Sequence, residues 1–413
     1  MIKLSPFVFC GFCDIFYREV SKGKRMIIKN GFVYTKEHQF HTGILRIEGD
    51  KISNIVTDVQ QEDAIANREL EVKENGEAIL DATDCYVIPG LIDIHFHGCM
   101  GADFCDGTKE ALETIAKFEL SQGITSICPA SMTYSEETLT RVFANVADFV
   151  CEGGATLVGI NMEGPFISKE KKGAQNEAYI QEADAEMFYR LQKVAGGKIK
   201  LLDIAPEVDG ARELMKELAG KVRLSIAHSA ADYDTAKEAF ELGVTHVTHL
   251  YNGMTNYHYR APGIVGAACD HEKVMVELIC DGVHIHPAVI RNTMKMFGEE
   301  RIIFISDSIR ACGLGDGDYT LGGQAVKVEG NLALLEDGTI AGSVISLMEG
   351  LRKLVKEMHI PLESAVRCMT ENPAKAIGVF ETCGSLEAGK KADVLILNKN
   401  FKIVHIIKEG KLI

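Results

Sequence analysis

The middle of this chain repeats one unit: a short β-branched apolar run followed by a longer amphipathic stretch. Runs at 91–95, 125–129, 157–163, 200–205, 222–228, 245–249, 274–279 and 302–306 read as eight strands. Between most of them the apolar spacing is helical, as at 108–122, 232–242 and 287–297. Strands with intervening helices call for a parallel sheet covered by helices, and eight such strands suggest closure into a (β/α)8 barrel. An open doubly wound sheet is the competing arrangement, but its Gly-rich fingerprint follows no early strand here. No solenoid repeat, low-complexity tract or heptad run breaks the pattern.

Both ends of the chain read differently. Residues 43–49 and 51–56 alternate apolar with polar, and Gly-Asp and Asn-Gly turns separate the runs. Residues 393–397 and 403–413 read the same way. The expected architecture is therefore α/β. A TIM-like barrel spans 87–379, and a small β-sandwich domain is built from both chain termini, 26–86 and 380–413. With 413 residues and 46% hydrophobic content there is enough apolar material for more than one domain. Residues 1–25 fit neither unit: an apolar stretch at 6–16 is interrupted by Asp14 and shows no small-residue cleavage site. They are expected to be a poorly ordered extension, with Met26 reading as a natural start.

Charge and cysteine usage narrow the function classes. A net charge of −15 argues against general binding to nucleic acid or anionic membranes. No apolar run reaches membrane-spanning length. The 12 cysteines form no disulfide-like framework, and Cys10 with Cys13 is the only Cys-x-x-Cys pair. A reduced, cytoplasmic setting is expected.

The chemistry sits at the strand ends. In a barrel, functional side chains gather where the strands finish. His95 and His97 end the first run, Glu163 the third, His228 the fifth, His249 the sixth and Asp307 the eighth. Residues i and i+2 of a strand share a side, so both first-strand imidazoles can reach one point. A lone histidine on an apolar strand is more often packing than ligand, but repetition at five strand ends reverses that reading. Glu163, followed by Gly-Pro, is poorly explained by packing, because a buried carboxylate is costly without a cation. With His228 and His249 it makes the two-histidine, one-carboxylate set of hydrolytic zinc sites. A divalent ion held there lowers the pKa of its water toward neutrality. Asp307 reads either as a turn residue or as a general base that returns its proton to a leaving nitrogen.

Several motifs then carry a resemblance. Glu163-Gly-Pro-Phe with Lys171-Lys-Gly-Ala-Gln-Asn, Ala227-His-Ser-Ala, Thr248-His-Leu-Tyr-Asn, Asp281-Gly-Val-His, Ala341-Gly-Ser and Glu371-Asn-Pro-Ala follow in order. From Met26 onward the chain resembles the N-acetylglucosamine-6-phosphate deacetylase family of the amidohydrolase superfamily. The resemblance implies removal of acetate from N-acetyl-D-glucosamine 6-phosphate, a small-molecule amino-sugar phosphate, in amino-sugar catabolism. It implies that Glu163, His228 and His249 hold the main metal and that Asp307 is the acid/base. It places Asn252, Gly253 and Arg260 at the phosphate and nearby sugar atoms, with His284 also on the substrate. Ala174, Gln175 and the loop Ile340, Ala341 and Gly342 would complete the pocket. A homodimer is expected on the same ground. The cofactor is one or two divalent ions per subunit, zinc or iron.

Two departures from part of that family matter. Some bacterial members have a histidine where this chain has Gln175, and lack the first-strand pair. Here His95 and His97 are expected to bind a second ion together with Glu163, which would polarise the carbonyl and leave Gln175 as a hydrogen-bonding contact. A dihydroorotase-like hydrolase would need a lysine ending the fourth strand, where this chain has Asp203-Ile-Ala-Pro-Glu. Another amide or amino-sugar phosphate, such as the galactosamine epimer, stays open, as does a catalytically dead barrel used as a binding protein.

Overall fold

The computed structural model describes residues 25–57 and 78–413. The expected N-terminal extension (apart from Arg25) and the Cys10–Cys13 pair lie outside the described residues.

Each helical pattern forms where its start signal stands. Thr108 caps Lys109–Ser121 by accepting from the Ala111 amide, and Asp232 caps Tyr233–Glu241 by accepting from that of Thr235. Pro287 opens the helix Pro287–Phe297 at a position that needs no amide donor. The inner face of the first helix buries Leu112, Ile115, Ala116 and Leu120, the spacing of one apolar stripe.

The strands these helices cover are parallel. Leu91–Asp93, Ile124–Ile127 and Thr156–Leu157 make one sheet. Ile160–Met162, Ile199–Ile204, Arg223–Ile226, His246–Val247, Met275–Ile279 and Ile302–Ile305 make a second, in that order. The expected third strand is thus split: its start pairs with Ile124–Ile127 and its end with Ile199–Ile204. An Ala130–Asn161 bridge joins the two sheets on that side. On the other side the Asp307 amide donates to the His95 carbonyl at 2.9 Å, and the His97 amide to that of Ser308 at 2.7 Å. The result is a curled, barrel-like wall around a packed interior, with both seams tied at the strand ends that carry the chemistry.

Strands from both ends of the chain form a separate mixed sheet. Its order is Lys411–Leu412, Ile403–Lys408, Val394–Asn398, Cys85–Pro89, Arg25–Tyr34, Phe40–Glu48 and Lys51–Thr57, with Ala78–Asp81 beside Arg25–Tyr34. A register shift between Ile28 and Gly31 lets one long strand serve two parallel neighbours. The expected sandwich takes the form of this one hydrogen-bonded sheet, wrapped on its own core of Met26, Ile28, Leu45, Ile47, Val394 and Ile407. A further antiparallel sheet, Gly317–Leu321, Gln324–Glu329 and Leu332–Leu335, was not foreseen. It follows the last barrel strand and docks through Gln324, whose Nε2 donates to the Ala174 carbonyl at 2.6 Å.

A buried ion pair pins the two C-terminal strands. Lys408 Nζ lies 2.9 Å from Asp393 Oδ2, and the Glu409 amide donates to Asp393 Oδ1 at 2.8 Å. Removing Asp393 leaves the buried Lys408 ammonium with only the partly exposed Glu409 carboxylate, 3.6 Å away. Asp393→Ala is expected to lower stability by about 3–5 kcal/mol, read as a shifted midpoint in urea unfolding.

Candidate active site

His95, Glu163, His228, His249 and Asp307 each stand one or two residues beyond the end of their barrel strand, and His97 four. His228, His249 and Asp307 follow their strands with φ of 44°, 31° and 49°. Side chains other than glycine rarely occupy that left-handed region, and three such residues at one end of a barrel mark a site where backbone strain is held for function. The sharp turn swings each side chain over the mouth of the wall. Glu163 is followed by Gly164 at φ 77°, where a Cβ would collide with Thr133. Only glycine lets the chain leave the third strand there.

The side chains converge on Glu163, and its two oxygens face different partners. Oε1 lies 2.8 Å from His228 Nε2 and 3.2 Å from His249 Nε2, and these two nitrogens are 3.2 Å apart. Oε2 lies 3.5 Å from His95 Nε2 and 3.3 Å from His97 Nε2. Asp307 Oδ1 closes this second group, 3.8 Å from His95 Nε2 and 3.4 Å from His97 Nε2. Zinc–ligand bonds of about 2.0–2.2 Å in a tetrahedron put donor atoms about 3.3–3.6 Å apart. Three of these seven separations fall in that range and two more lie within 0.1 Å of it.

A common support explains why the Nε2 atoms face inward. His97 Nδ1 lies 3.2 Å from the Ala130 carbonyl, His228 Nδ1 2.9 Å from that of Lys171, and His249 Nδ1 3.0 Å from that of Asn252. His95 differs: its Nδ1 meets Glu277 Oε2 at 3.1 Å, with Asn161 Nδ2 3.2 Å away. Such outer acceptors fix ring orientation and tautomer in metal-binding histidines.

The electrostatics favour positive charge at the centre. Burial pushes the Glu163 carboxyl up, but the charge of His95 and hydrogen bonds from His228 and His249 outweigh it, leaving the group well below the usual carboxylate range. Burial likewise opposes ionisation of Asp307, yet its hydrogen bond with His97 and the charges of His95 and His97 hold it low. His95 is driven well above the usual imidazole value, because Glu163 and Glu277 overcome the cost of its burial. The carboxylates therefore stabilise whatever cation sits among the rings, whether protons or a metal. Among the described residues, His95 Nε2 and Glu163 Oε2 are buried without a hydrogen-bond partner. With its proton on Nδ1, toward Glu277, His95 turns a bare Nε2 to this carboxylate oxygen, and the buried pair fits a divalent cation between them. His95, His97 and Asp307, and His95, Glu163 and His249, each bring three donor atoms within 4.8 Å of one another.

Above the cluster lies a cavity of about 260 Å³. Its wall contains His97, Glu163, His228, His249 and Asp307, and the expected substrate residues Ala174, Gln175, Asn252, Gly253, His284, Ile340, Ala341 and Gly342. His95 lies beneath it. His284 is fixed by Asp281, whose Oδ2 lies 2.7 Å from its Nδ1. Arg260 is the one expected substrate residue not brought into the wall; it is exposed, with its guanidinium 5.0 Å from the centre of the Tyr259 ring. Met132, Leu321 and Thr339 line the cavity without having been singled out. Glu277 was missed too, although its signal was legible as a lone carboxylate inside the apolar run 274–279. The supporting carbonyls carry no sequence signal at all.

Residues 86–413 match the model of the amidohydrolase family. The chain belongs to the amidohydrolase family. An N-acetylglucosamine-6-phosphate deacetylase of Bacillus subtilis is 34% identical to it, over 94% of this chain and 96% of that protein. An N-acetylgalactosamine-6-phosphate deacetylase of Escherichia coli O157:H7 is 32% identical over 78% of this chain and 86% of its own length. The crystal structure of the Pasteurella multocida N-acetylglucosamine-6-phosphate deacetylase superposes with a TM-score of 0.86 at 29% identity, over 94% of this chain and 99% of that one. The corresponding Mycobacterium smegmatis enzyme, a D267A mutant in complex with N-acetyl-D-glucosamine-6-phosphate, gives 0.85 at 29% identity, with the same coverage. As an amidohydrolase, the chain combines a TIM-like barrel with a small domain of terminal strands, and its buried cluster suits the metal dependence of that family.

Because Glu163 turns one oxygen to His228 and His249 and the other to His95 and His97, its loss should reach all four rings. Glu163→Gln is expected to weaken divalent-metal binding by about 100-fold or more, measured as metal content by plasma mass spectrometry after dialysis against a buffered chelator.

Proposed function

We propose that this amidohydrolase cleaves the acetamide of N-acetyl-D-glucosamine 6-phosphate with water, releasing acetate and D-glucosamine 6-phosphate. The observation that carries the reading is the convergence of Asp307 with the Glu163 and histidine cluster at the floor of the cavity. It is supported by 34% identity across nearly the whole chain to a deacetylase of that name.

Glu163, His228 and His249 would hold the main cation, with His95 and His97 adding a second beside Glu163 and Asp307. Zinc and iron both suit this ligand set. When bound, such a cation supplies Lewis-acid polarisation and lowers the pKa of water. The chain's own groups do the rest. Asp307, held ionised by its histidine neighbours, takes a proton from the attacking water and returns it to the amide nitrogen as the C–N bond breaks. Gln175 Oε1 accepts from the Thr133 amide at 2.7 Å, which leaves its Nε2 to donate to the substrate. The carbonyl of Lys171 and that of Asn252 keep His228 and His249 from turning away.

Recognition of the phosphate and nearby sugar atoms falls to the loop after the sixth barrel strand, with His284 a further contact to the substrate. Asn252 and Gly253 line the cavity, and Arg260 stands further along the same loop, its fork of donors exposed outside the wall. The 4-epimer, N-acetyl-D-galactosamine 6-phosphate, is the second reading, favoured by the similarity to the Escherichia coli enzyme.

Acetate release by metal-loaded protein tests both. Turnover of the glucosamine derivative is expected to exceed that of its unphosphorylated parent by about 100-fold or more in kcat/KM. Asp307→Asn should lower kcat by about 10²–10⁴-fold with the phosphorylated substrate still bound. Arg260→Ala should raise KM by about tenfold with a smaller effect on kcat. Faster turnover of the 4-epimer would move the assignment to that sugar, and absence of acetate from either would overturn the reading.

A further inference from the structure

Four imidazoles point Nε2 at the centre of the site, and three are held from behind by backbone carbonyls. The fourth, His95, is held by Glu277, and that carboxylate does more than one job. Its Oε2 lies 3.1 Å from His95 Nδ1 and accepts from the His249 amide at 3.3 Å. Its Oε1 lies 3.0 Å from His246 Nε2. Its own carbonyl accepts from the Leu250 amide at 2.8 Å. Glu277 is completely buried on the strand Met275–Ile279, and so are His95 and His246.

Burial of a full charge beneath a site that already contains Glu163 and Asp307 is costly, and packing does not require it. Apolar residues fill the remaining positions of Met275–Ile279. A carboxylate here has a specific effect on its neighbours. It has no proton to donate when ionised, so His95 must present an Nδ1–H to it and His246 an Nε2–H. The Asn161 amide stands 3.2 Å from the same His95 nitrogen, but the charged acceptor makes the stronger bond. With its proton on Nδ1, His95 has a bare lone pair on Nε2, the atom that faces Glu163 Oε2 and Asp307 Oδ1.

We propose that Glu277 is the positioning residue that makes His95 a metal donor, and so sets the affinity of the His95–His97–Asp307 group separately from the His228–His249 group. Its second tie, to the His249 amide, keeps the two groups in register across the barrel. The inference rests on the metal-binding part of the function proposed above. A glutamine at this position would present an NH2 group to at least one of the two histidines. Facing His95 it would put either a neutral oxygen, which leaves the ring a weaker donor to a metal, or the NH2, which favours the tautomer with a proton where the metal bond must form.

The test uses full-length protein stripped of metal and titrated with Zn²⁺ alone against a competing chromophoric chelator. Wild type, Glu277→Gln, His95→Gln and the double variant are compared, with thermal unfolding of each metal-free protein as the folding check. The expected result is two ions per chain in wild type, and in Glu277→Gln one site unchanged and the other weakened by about 10–100-fold. In the His95→Gln background, Glu277→Gln should then change Zn²⁺ affinity by less than about twofold, because the residue acts through that ring. Two sites of wild-type affinity in Glu277→Gln would overturn the proposal while leaving the metal reading intact. So would losses that simply add in the double variant, the mark of a merely structural role. A wild type that binds no Zn²⁺ at the His95 group would overturn both. If Glu277→Gln fails to fold, ¹⁵N-histidine spectra of zinc-loaded wild type decide. His95, assigned by its disappearance in His95→Gln, is expected to have its proton on Nδ1, and a proton on Nε2 would overturn the proposal.

Discussion

One carboxylate shared among four imidazoles governs the architecture of this protein. Glu163 turns one oxygen to His228 and His249 and the other toward His95 and His97. For that to happen, the first, third, fifth and sixth barrel strands must end at the same height, and their chains must turn inward there. The left-handed backbone of His228 and His249 is the local cost of the turn. The seam hydrogen bonds between His95 and Asp307 and between His97 and Ser308 are what hold first and last strands level. A slip of one residue in any parallel pairing would point its ligand out of the barrel rather than in.

Much of this was legible in the chain. The alternation of apolar runs and amphipathic stretches located the strands and helices because both periods leave a mark on the sequence. The site residues stood out because charged or imidazole side chains ended apolar runs, a placement with little use in packing. What lay hidden was of two kinds. The carbonyls of Ala130, Lys171 and Asn252, which orient three of the rings, belong to the backbone and look the same in every residue. The split of the third strand at residues 158–159 and the sheet after the eighth barrel strand depend on tertiary pairing. The Gly322-Gly323, Gly330-Asn331 and Asp337-Gly338 turns were visible, but nothing local tells where their hairpins dock.

That docking shapes the pocket. Gln324 ties the extra sheet to the Ala174 carbonyl, and Leu321, Thr339 and Ile340 supply part of the cavity wall. The metal-type residues of the cavity therefore come from strand ends, while part of its wall comes from loops and a small sheet.

The mixed sheet has a consequence for how the chain is made. Cys85–Pro89 sits between Arg25–Tyr34, from the start of the described chain, and Val394–Asn398, from its end. A ribosome delivers the first of these neighbours long before the second. Throughout synthesis of the barrel, one side of Cys85–Pro89 has backbone donors and acceptors with no strand to meet them, and such an open edge invites pairing with other chains. The last strands thus act as a late clasp: a nascent or prematurely terminated chain offers a sticky edge to chaperones and proteases, and only a full-length one hides it.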